Sequence, residues 1–261
     1  MEQSERTVVG VLGLGEAGGA FSTDLAAAGA VVRGYDPAVT AGPELVAASS
    51  EADAADGADL VLSVNRSATA VAAMEAGIGA LPEGSVWADL NTASPATKRR
   101  LAEIAEQHGA AFADVAIMAP VPGPRLRVPM LVSGTGAERA AELLRRFGAN
   151  VEVLDGPAGL AATRKLLRSV YFKGMAASIV EALEAARAAG FEDLLRENII
   201  ADFTAAGQST VERIISGTHQ HSRRRTDEMA AAAEMLTDLG VSPAIATASR
   251  DLHARLTEEQ A

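Results

Sequence analysis

Gly13-Leu14-Gly15-Glu16-Ala17-Gly18 lies between an apolar β-branched run, Val8-Val9-Gly10-Val11-Leu12, and a helix-like segment from Ala17 to Ala28. A second apolar run begins at Val31-Val32 and ends at Tyr35-Asp36. Strand, glycine turn, helix and strand follow one another, with an acid about 20 residues on, which is the layout of a dinucleotide fingerprint. In that layout Gly13 permits the tight turn and Gly15 lets the backbone approach a pyrophosphate. Gly18 lets the helix lie close to the sheet. Leu14, Glu16 and Ala17 complete the loop, and the helix N-terminus faces the negative charge. Asp36 is placed to accept hydrogen bonds from a ribose 2′-hydroxyl and to repel a 2′-phosphate. No lysine or arginine follows in Pro37-Ala38-Val39-Thr40, and Arg33 falls on the other face of its strand by alternation. NAD(H) is therefore expected over NADP(H), with NADP(H) left open as a possible cofactor.

Composition narrows the class further. The 261 residues suffice for one or two domains with a substantial core. They are 48% hydrophobic but only 3% aromatic, so alanine, valine and leucine must do most of the packing. A formal net charge of -11 argues against a nucleic-acid or anionic-membrane surface. The absence of cysteine excludes disulfides, thiolate metal sites and cysteine nucleophiles. The polar start, Met1-Glu2-Gln3-Ser4-Glu5-Arg6, lacks the apolar centre of a signal peptide, and no apolar run reaches spanning length. These features lead to the expectation of a cytoplasmic protein; its expected partners, a small-molecule substrate and a second copy of the chain, follow from the readings below.

Through Val153 the chain alternates short β-branched runs with helical stretches. Strands are expected at Leu60–Ser63, Val86–Asp89, Ala111–Ile117, Met130–Ser133 and Val151–Val153. Helices are expected at Ala68–Ala76, Pro95–Gln107 and Ala137–Phe147. Such a rhythm implies an α/β, Rossmann-type doubly wound parallel sheet, with ligand outside the carboxyl ends of its strands. At Asp155-Gly156-Pro157 the rhythm changes to helices alone. The expected division is thus a dinucleotide-binding domain over residues 1–156 and an all-helical substrate and dimerisation domain over 157–261. Val170 to Leu183 is apolar nearly all round, which predicts burial inside a bundle or a homodimer.

Four stretches carry a resemblance to the β-hydroxyacid dehydrogenase superfamily, which includes 6-phosphogluconate dehydrogenase-like enzymes. They are the Gly13–Gly18 turn, Asp89-Leu90-Asn91-Thr92-Ala93-Ser94-Pro95, the segment from Asp114 to Gly123, and a glycine-then-lysine helix from Gly159 to Lys165. Within that superfamily the chain looks most like a branch with a short C-terminal helical domain. The resemblance implies that Lys165 is the catalytic lysine, a general base toward a hydroxyl or a general acid toward a carbonyl. It also tips Asn91, Thr92 and Ser94 toward cofactor or substrate contact, although Ser94 before Pro95 also reads as a helix cap. Two positions depart from the family. The substrate loop reads Pro120-Val121-Pro122-Gly123-Pro124 and lacks the family's serine, so Pro122 and Gly123 would wall the pocket with backbone and apolar surface. Ser169 stands where the family usually has asparagine, on the same face as Lys165.

Other polar residues complete the candidate set. Asn65-Arg66-Ser67 follows the strand Leu60–Ser63, where a loop should pass the cofactor ribose and nicotinamide. Lys173, eight residues beyond Lys165 and offset by about 80° on the helix, is a rival for the cleft or a structural partner of Glu181. His219 and His221 do not share a helix face, and no metal site is expected. Arg223-Arg224-Arg225 reads as an anion clamp or as a solvated face pairing with Asp227 and Glu228. The function expected is hydride transfer between NAD and a small hydroxy acid or its carbonyl partner. Imine reduction on the same fold and a non-catalytic nucleotide-binding regulator are the alternatives.

Overall fold

The computed structural model describes residues 6–260; all but Arg6 of the polar start lies outside the described residues. Two compact units divide between Arg168 and Ser169. In the first, eight strands form one sheet: β1 (Val8–Leu12), β2 (Val31–Tyr35), β3 (Val46–Ala47), β4 (Leu60–Ser63), β5 (Val86–Asp89), β6 (Ala111–Ile117), β7 (Met130–Ser133) and β8 (Val151–Val153). Their spatial order is β3-β2-β1-β4-β5-β6-β7-β8. The chain moves outward from β1 to β2 on one side and returns to β4 on the other. The carboxyl ends of β1 and β4 therefore flank the topological switch point, where ligands bind in such sheets.

Helices cover both faces: α1 (Glu16–Ala27), α2 (Glu51–Ala55), α3 (Ala70–Gly77), α4 (Pro95–Gln107) and α5 (Ala137–Arg146). Alternation along the strands divides the core in two. Leu60, Leu62, Val86 and Ala88 pack on one side with Phe21 and Leu25 of α1 and Leu143 and Leu144 of α5. Val61 and Trp87 point the other way, against Ala54 of α2, Met74 of α3 and Leu101 of α4. Burial on both faces is what turns these strands into continuous apolar runs.

Two strands depart from the expected all-parallel sheet. β7 runs antiparallel to β6, and β8 is parallel to β7. The reason lies in the connection. Between β6 and β7 the chain forms only a short 3₁₀ turn, Arg125–Arg127, and a parallel return would need a crossover helix. Between β7 and β8 such a helix exists, α5, and that pair is parallel.

The second unit holds the rest of α6 (Leu160–Ala189), with α7 (Glu192–Ala205), α8 (Gln208–Gln220), α9 (Ser222–Asp238) and α10 (Ala244–Glu258). Its core is small: Ala185, Ala233, Leu236 and Ala246. Glu181 accepts the amides of Ile245 and Ala246 at 2.7 and 2.8 Å and so caps α10. It is not a partner of Lys173, which is exposed and forms no ion pair with Glu181. Within one chain the Val170–Leu183 stretch is not buried by a bundle: Val170 is 75% exposed, Tyr171 66% and Val180 55%.

Close backbone packing sets a test of this architecture. A Cβ at Gly10 on central β1 would stand 2.4 Å from the carbonyl oxygen of Ala54 on α2. Gly10→Ala is expected to destabilise the protein by about 1–3 kcal/mol, read as a lower urea midpoint at an unchanged slope.

Candidate functional site

The glycine turn is built as the fingerprint requires. Gly13 has φ +96°, a conformation that favours glycine, and a Cβ there would meet the backbone of Val64 and Asn65. At Gly18 a Cβ would fall 1.8 Å from the Gly13 carbonyl oxygen, so α1 can start only where it does with glycine at that position. Gly15 differs, because a Cβ added there would meet no protein atom within 4 Å. Packing does not explain Gly15; the open space beside it leaves the backbone accessible to close approach. No side chain caps α1, and its first amides, with Glu16 and Ala17, present donors at the positive end of the helix dipole. The turn fits a pyrophosphate.

Asp36 stands beside it and is already engaged. Its Oδ2 accepts the amide of Leu14 at 2.8 Å, and Oδ1 accepts those of Ala38 and Val39 at 2.8 and 3.0 Å. Burial opposes the charge, but these three amides and the nearby Arg66 guanidinium outweigh it and hold the carboxyl below its ordinary 3.8. Oδ2 retains a lone pair for a hydroxyl donor. Arg66 reaches Asp36 electrostatically from the loop after β4, a cation that the local sequence after Asp36 did not contain. Arg33 is held by Asp53, its Nε 2.9 Å from the backbone oxygen.

Asn65 and Asn91 meet at the carboxyl ends of β4 and β5. Asn91 Nδ2 lies 2.9 Å from Asn65 Oδ1, 3.1 Å from Ser63 Oγ and 2.6 Å from Asp89 Oδ2. A carboxylate accepts only, which fixes the amide orientation and leaves Asn91 Oδ1 buried with no hydrogen-bond partner among the described residues. Asn91 and the exposed Thr92 line a narrow crevice together with Lys98, Asp114 and Lys165. Lys165 is half-buried in the second turn of α6.

The turn that carries Lys165 is fastened to the sheet. Asp114 Oδ2, from β6, accepts the amides of Gly159 and Ala162 at 2.9 and 3.0 Å, and Ser133 Oγ, from β7, accepts that of Ala161 at 3.1 Å. These acceptors satisfy amides that the start of a helix otherwise leaves open. They also explain why the first compact unit runs past the change of rhythm at Gly156 as far as Arg168.

The candidate substrate residues are dispersed. Ser94 caps α4 by accepting the Thr97 amide at 3.1 Å. Pro122 and Gly123 are exposed and do not line the cavity with Lys165. Their loop is clamped to α1, where Asp24 accepts Arg125 Nε at 2.7 Å and the Leu126 amide at 3.1 Å. Arg125 itself has φ +51°. Ser169, half-buried, and the exposed Lys173 fall in the second unit.

The family model for the NAD binding domain of 6-phosphogluconate dehydrogenase matches residues 8–156. The chain belongs to this family. A second model, a domain of unknown function termed DUF1932, matches residues 186–256. Human mitochondrial 3-hydroxyisobutyrate dehydrogenase is 32% identical over 181 residues, 64% of this chain and 53% of the enzyme. The chain thus spans about half the length of that relative. A conserved hypothetical protein from Sinorhizobium meliloti superposes with a TM-score of 0.64 at 30% identity, over 97% of this chain and 89% of that one. An imine reductase from Myxococcus stipitatus, in complex with NADP⁺, gives a TM-score of 0.80 over 97% and 94% of the two chains, a likeness of fold at 18% identity.

As a member of the 6-phosphogluconate dehydrogenase NAD-binding family, the first unit is an NAD(P)-binding domain. Among the described residues no group of three His, Asp or Glu side chains is placed to hold a metal, and no helix is long and apolar enough to cross a membrane. Arg224 pairs with Glu228 at 3.5 Å on an exposed face, while Arg225 donates to Thr218. The group that local reading missed is Lys98. Its signal was its place on the buried stripe of α4, with Leu101 and Ala105 at helical spacing.

Proposed function

We propose that this protein is an NAD-dependent oxidoreductase acting on a small hydroxy acid or its carbonyl partner, with Lys165 as general acid and base. The observation that carries this reading is the cavity Lys165 shares with Asn91 and Thr92, at the carboxyl edge of a dinucleotide-binding sheet. When bound, the nicotinamide supplies or takes up the hydride. Lys165 Nζ gives a proton to the carbonyl oxygen in reduction and takes one from the hydroxyl in oxidation. Gly13, Gly15 and Gly18, with the amides of Leu14, Glu16 and Ala17, hold the pyrophosphate. Asn65, Arg66, Asn91 and Thr92 border the ribose and nicotinamide. Asp36, kept ionised by its amide donors, favours a ribose hydroxyl over a 2′-phosphate, against the pull of Arg66. Reduction of an imine is the second reading, favoured by Pro122 in a loop where the family resemblance leads one to expect serine.

Asp36→Ala is expected to narrow the preference for NAD(H) over NADP(H) by about tenfold, equivalent to about 1.4 kcal/mol, measured by calorimetric titration of both cofactors. Tighter NADP(H) binding by the unaltered protein counts against the reading.

With a substrate found by screening hydroxy acids, carbonyl compounds and imines at the NADH absorbance, Lys165→Ala is expected to lower turnover by about 10²- to 10⁴-fold. Cofactor affinity should stay within a few-fold. Lys165→Arg should be nearly as damaging, because guanidinium does not release its proton. Full activity in Lys165→Ala removes the assignment.

The uncovered apolar helices of the second unit support a homodimer. Phe172, Ile199, Ile200 and Phe203 line a groove of about 490 Å³ between α6 and α7. Light scattering at micromolar concentration should give twice the 26.7 kDa chain mass, and Phe203→Glu should shift the population to monomer. A monomeric parent protein refutes the assembly.

A further inference from the structure

Of the 23 lysine and arginine residues in this chain, 20 are arginine and three are lysine: Lys98, Lys165 and Lys173. Against that usage each lysine position asks why guanidinium is not used there. For Lys98 the geometry answers. It is 1% exposed, and its ammonium donates to Asp89 Oδ1 and to the Asp89 carbonyl, both at 2.6 Å, and lies 3.1 Å from Asp114 Oδ1. Two oxygens of Asp89 accept its protons and the Asp114 carboxylate stands at ion-pair distance, an arrangement around one point that suits a compact ammonium and not a planar fork. Asp89 and Asp114 are each fully buried. The cluster therefore carries two carboxylates for one ammonium. The surplus negative charge is met by the Gly159 and Ala162 amides at the start of a 30-residue helix, where the helix dipole favours an anion.

Each carboxylate held by Lys98 has a second duty. Asp89 Oδ2 orients the amide of Asn91, and Asp114 Oδ2 fixes the turn of α6 that leads to Lys165. Asn91 and Lys165 come from elements far apart in sequence, yet they line one cavity, and Lys98 and Asp114 line it too. We infer that Lys98 is a positioning residue, which couples the Asn91 amide and the Lys165 turn into one unit by holding Asp89 and Asp114 together. The inference rests on the reading of Lys165 as the proton-handling group. It adds that the height of this group over the sheet is set from beneath by a second lysine.

The scarcity of lysine makes a test without substrate possible. The intact protein is treated with an amine-acetylating reagent, and labelling rates at Lys165 and Lys173 are read by mass spectrometry, with amide hydrogen exchange followed in parallel. Two variants are compared. Lys98→Met removes the ammonium at similar length. Lys98→Met/Asp89→Asn also restores the original net charge of the cluster, in case the single change prevents folding. In a folded variant, labelling of Lys165 is expected to rise about tenfold and that of Lys173 by less than twofold. Exchange should quicken at residues 159–166 and stay unchanged at residues 13–18. A rise at Lys165 of less than twofold, or a fall, overturns the proposal. A uniform rise in exchange along the chain does so too, because Lys98 then only stabilises the fold. Failure of both variants to fold has the same meaning. Loss of the catalytic reading is seen separately, as retained turnover in Lys165→Ala.

Discussion

Helix α1 touches the turn that precedes it. With no Cβ between Gly18 and the Gly13 carbonyl, the helix begins directly above the end of β1 and aims its open amides at the switch point between β1 and β4. The same turn is bonded sideways to β2, since the Gly13 amide donates to the Tyr35 carbonyl at 2.8 Å and the Leu14 amide to Asp36. Any side chain at Gly18 would lift the helix and loosen both links. Glycine turn, acid and sheet edge are thus a single hydrogen-bonded assembly, in which the acid serves the protein backbone.

Features with local causes were legible in the sequence. Alternating βα rhythm, the glycine turn, the proline start of α4 and the helical second half all arise from neighbouring residues, and the structure has them with ends shifted by only a few positions. Features that depend on distant partners were not. The direction of β7 follows from the absence of a helix between residues 117 and 130, which a list of strands does not encode. Asp114 is visible as an acid on an apolar strand, but its partners just before and within the first turn of α6 lie 45 and 48 residues away. Lys98 stands next to Arg99 and Arg100 in sequence, and only its spacing to Leu101 and Ala105 marks it as belonging to the buried face.

The site was readable to a similar degree. Gly13 to Gly18 and Asp36 were singled out by pattern, and Asn91, Thr92 and Lys165 by resemblance; the last three line one crevice. Pattern failed in the loop from Pro120 to Arg127, where the long-range bonds of Asp24 to Arg125 and Leu126 decide where the backbone goes. The long apolar stretch of α6 was recognised as needing cover, and one chain does not provide it.

The junction between β8 and α6 bears on how such a protein is divided. Both the βα rhythm and the matched NAD-binding region stop at residue 156. The amides that satisfy Asp114 and Ser133 come later, from Gly159, Ala161 and Ala162. A piece cut at Gly156 would strip the buried Asp114 carboxylate and Ser133 hydroxyl of the three helix amides they accept, which leaves Lys98 and their mutual contact as their remaining partners. The smallest part of this chain that can be transplanted whole is therefore longer than its repeating pattern. Any exchange of helical domains by recombination must leave the first turns of α6, Lys165 among them, with the sheet.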